Sequence, residues 1–77
     1  IIGEFKLLNK LSSISEISII FPEKAITERG VLSTITRELA VNDIVISELL
    51  TASPELLIYI KEEHVLKTYD ILKRLQK

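Results

Sequence analysis

At 77 residues, with no cysteine and 47% hydrophobic residues, the chain holds one domain at most, is too apolar for disorder, and has neither a disulfide nor a thiolate metal site to staple it. A domain this small is marginal alone, so oligomerisation is the expected route to added stability. The 10 basic and 11 acidic residues nearly cancel to a net charge of −1, which gives no electrostatic reason to expect nucleic acid or an anionic membrane surface as partner.

No apolar run approaches the ~20 residues of a membrane span. The start Ile1-Ile2-Gly3-Glu4 lacks the basic and long apolar parts of a signal peptide. A cytoplasmic chain is therefore the expectation. It starts at Ile1 and not at Met, so a fragment or a processed chain, with further function upstream, is one reading.

Residues 2–9 alternate loosely, with Phe5 and Leu7 on one face and Glu4 and Lys6 on the other, which predicts a strand. Residues 10–13 form a turn. Residues 14–21 are a stronger strand, with Ile17, Ile19 and Phe21 on one face and Glu16, Ser18 and Ile20 on the other. Pro22 stops it, having no N–H for the sheet. After a polar loop, Thr27 is a plausible N-cap and residues 28–41 read as helix, with Val31, Leu32, Ile35 and Leu39 on one stripe. Asn42-Asp43 ends it, since Asn tolerates a left-handed backbone. Residues 44–51 and 56–61 read as strands around a turn at Ala52-Ser53-Pro54-Glu55. Residues 62–75 return to helical spacing, with Val65, Tyr69 and Leu72 on one face and Leu66 beside them; Glu62 and Glu63 at the start and Lys73 and Arg74 at the end suit the helix dipole.

The order strand, strand, helix, strand, strand, helix predicts an α+β fold: a ferredoxin-like two-layer sandwich, with a four-stranded antiparallel sheet and two helices on one face. All 77 residues read as one domain, without repeat, linker or low-complexity stretch.

The run Ile17-Ser-Ile-Ile-Phe-Pro, then Gly30-Val31-Leu32, then Leu39-Ala-Val-Asn-Asp-Ile-Val-Ile46 resembles an ACT domain, and in detail small archaeal ACT-domain-containing proteins. The resemblance covers about residues 14–75. It implies a regulatory domain that binds a small molecule, commonly an amino acid, and assembles as a dimer or tetramer without cofactor or chemistry of its own. The family order is βαββαβ, whereas this chain reaches its end at the second helix and has an extra strand in front. A strand at 2–9, antiparallel to 14–21, takes the slot of the missing last strand. The expected arrangement is thus permuted to ββαββα, in spatial order first, second, fourth, third. The alternative is a last strand cut off or supplied by a neighbouring chain.

By the same resemblance the ligand lies between the loop and helix start of one chain, residues Thr27, Glu28, Arg29, Gly30, Val31 and Leu32, and the strand of another, residues Ile44, Val45 and Ile46. The physics is sound. A helix start offers free N–H groups to a carboxylate, Gly30 lets a ligand approach closely, and Glu28 and Arg29 suit an amine and a carboxylate. The family's Asp or Asn before the glycine is replaced here by Glu28 and Arg29. The structural alternative has Thr27 capping the helix, Gly30 permitting close packing, and Glu28 and Arg29 solvated. Ile20, Leu57 and Tyr59 are expected to point away from the helices and to leave an interface-like apolar face, and 44–51 is expected at the sheet edge. Glu63 and His64, neighbours ~100° apart on a helix, lack the spacing of metal ligands. Ser33, Thr34 and Thr36 have no believable base near them, and with only Gly3 and Gly30 there is no phosphate-cradling loop. Lys67, Lys73, Arg74 and Lys77 lie along the last helix with acids between them, which does not make a nucleic-acid surface.

Overall fold

The computed structural model describes residues 2–22, 28–52 and 54–76. Along the chain they form β1 (Phe5–Leu11), β2 (Ile14–Ile20), α1 (Glu28–Val41), β3 (Ile46–Ala52), β4 (Glu55–Lys61), one 3-10 turn (Glu62–His64) and α2 (Val65–Leu75). The result is an open, four-stranded antiparallel sheet in the order β1-β2-β4-β3 with two helices, an α+β fold compatible with two layers. The strand order is the one expected. No helix among the described residues is long and apolar enough to cross a membrane.

Local chemistry explains the turns. Leu11 pairs with Ile14 and leaves Ser12-Ser13 as a two-residue hairpin turn. Ser12 has φ of 61°, the positive value a type II′ turn carries at its first central position. The end of α1 is a Schellman motif: Ile44 N–H donates to Leu39 O at 2.9 Å and Asp43 N–H to Ala40 O at 3.0 Å. The left-handed residue is Asp43, with φ of 61°, and not Asn42. Asn42 instead turns its side-chain amide back onto Glu38 O at 2.8 Å. This motif takes Ile44 out of the predicted strand. Ile44 is buried beside Leu39 in the core, and β3 starts two residues later. Likewise β1 is displaced from 2–9 to Phe5–Leu11, because Ile2-Gly3 serve the chain terminus.

The core lies between one sheet face and the helices. Ile17 and Ile19 of β2, Leu56, Ile58 and Ile60 of β4, Ile35 and Leu39 of α1, and Leu72 of α2 are fully buried in one cluster. Each such side chain contributes about 1.5–3 kcal/mol by leaving water. Phe5 meets Tyr69 edge to face, with ring centroids 5.1 Å apart, and ties β1 to α2. On α2 the inward residues are Thr68, Ile71 and Leu72. Leu66, expected beside the core, is 82% exposed, because the 3-10 turn shifts the helix phase away from a helix begun at Glu62.

At the chain ends, Ile2 pairs with Gln76 in a parallel bridge, and Ile2 N–H donates to Leu75 O at 3.2 Å. Gly3 N–H donates to Ile20 O at 2.7 Å, and a Cβ on Gly3 would lie 2.9 Å from that same carbonyl oxygen. Backbone cannot step aside cheaply. Gly3→Ala is expected to lower stability by about 1–3 kcal/mol in urea unfolding. Ser15 Oγ and Thr68 Oγ1 are buried with no partner among the described residues. Thr68→Val removes one such hydroxyl at constant shape, so it is expected to raise the urea midpoint, by about 1 kcal/mol of stability.

Candidate functional site

The residues expected to bind a ligand fall into two groups at opposite ends of α1. Thr27 lies outside the described residues, and Glu28 is the first residue of the helix. Arg29 and Gly30 follow in the first turn, both exposed. Gly30 is thus not a close-packing point, and its carbonyl accepts the Thr34 hydroxyl at 3.0 Å. Val31 is buried at 5% exposure and Leu32 packs at the core margin, so these two hold the helix start down. At the other end Ile44 is buried, Ile46 is half-buried against the core, and Val45 is 73% exposed.

Fourteen helical residues separate the groups by about 20 Å along the axis. A single chain does not bring them together. The strand-side group has a cavity of its own: Ile44, Val45 and Ile46 line an open groove of about 420 Å³ with Thr36, Ala40 and Asp43. The exposed Val41 borders the same end of α1. β3 is the sheet edge, as expected, so among the described residues its outer backbone groups have no strand partner.

A second polar arrangement sits on the sheet face away from the core. Register places Glu16 opposite Tyr59, Tyr59 opposite Glu48 and Asn9 opposite Glu16, so the four residues form one row across all the strands. Tyr59 donates its hydroxyl to Glu16 Oε2 at 2.5 Å, and Asn9 donates its amide to Oε1 at 2.8 Å. Further along, Ser18 donates to Glu55 Oε2 at 2.5 Å. Parity alone sends Ile20, Leu57 and Tyr59 to this face, as expected. The carboxylate network needs the register, and the alternation of the sequence does not contain it.

These bonds set the titration of Glu16 and Tyr59. The Tyr59 hydroxyl, and then the Asn9 amide, favour ionised Glu16 and hold its carboxyl below the usual range. The same bond pushes the Tyr59 phenol up, helped by burial and by the charges of Glu16 and Glu48. Among the described residues no group of three His, Cys, Asp or Glu side chains converges as a metal site. Glu63, exposed, and His64, half-buried, come within 3.6 Å of each other on the 3-10 turn.

Compared with protein-family models, with curated proteins and with solved structures, the chain matches none.

Because Glu16 binds its proton more weakly when folded, its bonds stabilise the fold at neutral pH, and that contribution fades as pH falls through the lowered pKa. Tyr59→Phe is expected to move the Glu16 titration, followed by carboxyl-carbon NMR, up toward the ordinary carboxylate range. It should also flatten the acid limb of the stability curve. An unmoved titration would show that the hydroxyl does not hold the carboxylate.

Proposed function

We propose that this chain is a regulatory binding domain of the ACT type, with a ferredoxin-like fold permuted to ββαββα. Its ligand is a small molecule, on the resemblance an amino acid, taken up where two copies meet. The observation that carries the reading is the division of the site between the two ends of α1, beside an open strand edge. β2 and β3 run in the same direction in the sheet and α1 returns between them, so α1 begins at the end of the sheet where β3 finishes. Antiparallel pairing of two β3 edges reverses the second copy end for end. The second copy's groove at Ile44, Val45 and Ile46 then comes beside the start of α1 in the first, at Glu28, Arg29, Gly30, Val31 and Leu32. The pairing also satisfies the β3 backbone and covers Val45. Helix-start N–H groups and Arg29 suit a carboxylate, and Glu28 suits an amine. Regulation follows if the ligand binds the paired state more tightly than the unpaired one. The domain performs no reaction itself.

The second reading is a ligand-free assembly module that uses the same edge to pair copies or attached domains. The apolar lining of the groove, Ile44, Val45 and Ile46, favours it.

A thermal-shift screen against the common amino acids, run with light scattering, separates the two. A ligand at ~100 times its Kd adds about 2.7 kcal/mol, and each kcal/mol moves a domain of this size by about 4–8 °C. A specific, concentration-dependent rise that Arg29→Ala removes is the expected result. A stable oligomer with no shift supports assembly alone, and a monomer with no shift overturns both readings.

A further inference from the structure

The sheet face away from the helices carries a short apolar strip over three of its four strands: Ile20 on β2, Leu57 on β4 and Leu50 on β3. Glu4, Glu16, Glu48 and Glu55 surround the strip, against the two amines of Lys6 and Lys61. Hydrogen bonds hold Glu16 and Glu55 in place. Among the described residues none of the four carboxylates is ion-paired. The face is thus acidic and, among the described residues, carries no covering element.

The opposite surface of the molecule has the complementary character. α2 buries Thr68, Ile71 and Leu72 and turns its other side to solvent. There Leu66, 82% exposed, stands with Lys67, Asp70, Lys73 and Arg74, which line an open groove of about 480 Å³. At ~100° per residue Leu66, Asp70, Lys73 and Arg74 fall within an arc of about 100°, with Lys67 at its margin. Neither the core nor the β3 edge accounts for a leucine this exposed inside a basic stripe.

We propose that the open sheet face of one copy receives the outer side of α2 from a second copy. The dimensions agree. Eleven helical residues are about 16 Å long and 10–12 Å wide, and a sheet of four seven-residue strands offers about 15–20 Å by 20–23 Å. Leu66 seats on the Ile20, Leu57 and Leu50 strip, and Lys67, Lys73 and Arg74 meet the surrounding carboxylates. Two sheet faces set against each other would instead oppose like charges. The two surfaces lie on opposite sides of the molecule, so the contact cannot close on itself about a two-fold axis and repeats as a stack. A single helix footprint is smaller than a standard interface of ~800 Å² per partner, so the contact is weak and its charges are exposed to salt.

Sedimentation velocity of the whole chain over a range of concentrations tests this. The expected result is a concentration-dependent mass increase at low salt that reverses at about 1 M salt, where the Debye length is about 3 Å. The species remaining at high salt is the unit that stacks. Leu66→Glu, at an exposed position, should weaken stacking at least tenfold, and so should Leu57→Lys, with Glu48→Lys as an exposed alternative on the same face. Circular dichroism checks that each variant folds. Mixing Leu66→Glu with Leu57→Lys or Glu48→Lys should restore association, since each supplies the surface the other lacks. Mass that does not respond to salt, Leu66→Glu that stacks like the parent, or a mixture that stays apart would each overturn the proposal. The amino-acid screen runs through the β3 edge and is untouched by Leu66→Glu, so the two ideas fail separately.

Discussion

Everything in this fold hangs on the pairing of β2 with β4. Seven residue pairs run without interruption from Ile14 opposite Lys61 to Ile20 opposite Glu55. That register joins segments some 40 positions apart and aligns the alternation of both strands, so Ile17, Ile19, Leu56, Ile58 and Ile60 share one dry face. The register shifts occur elsewhere, between Leu7 and Asn9 on β1 and between Ile46 and Glu48 on β3. Irregularity is thus confined to the outer strands, where an extra residue bends an edge without breaking the ladders inside. A one-residue slip at the centre would turn the isoleucines into water and the glutamates into the core.

The same constraint fixes the helices. α1 has to carry the chain back past the sheet, because β2 and β3 both run antiparallel to β4. Val31, Ile35 and Leu39 fall on its inner side at helical spacing, and the Schellman turn then seats Ile44 under Leu39 before β3 begins. Any function proposed at the ends of α1 inherits this geometry. The helix separates its two termini rigidly.

Much of the architecture was legible in the sequence for physical reasons. Pro22 and the alternation of residues 14–21 marked β2, the stripe at Val31, Leu32, Ile35 and Leu39 marked α1 over its observed span, and the polar residues at 52–55 marked the second hairpin. Misreadings arose where a local motif overrode periodicity. Apolar Ile44 looked like the first residue of a strand but is the hydrophobic end of a helix cap. Leu66 looked like core, but the helix proper starts at Val65 after a tighter turn, and Thr68 goes inside instead. Of the candidate site, the burial of Val31 follows from its place on the α1 stripe, whereas the exposure of Val45 is a property of packing and could not be read from residue type alone. The row of Asn9, Glu16, Tyr59 and Glu48 depends on which residues stand opposite one another across three strand pairings.

The bridge between Ile2 and Gln76 bears on how this connectivity relates to others. It puts the start of β1 beside the exit from α2, while the far end of β1 is tied to β2 by only Ser12 and Ser13. A chain opened at those serines and joined from α2 to β1 would trace strand, helix, strand, strand, helix, strand through the same atoms. The core, the sheet order and both candidate surfaces would be unchanged. Two connectivities that look unlike each other along the sequence therefore differ here by one cut and one short join, a kind of rearrangement that domains with adjacent termini tolerate.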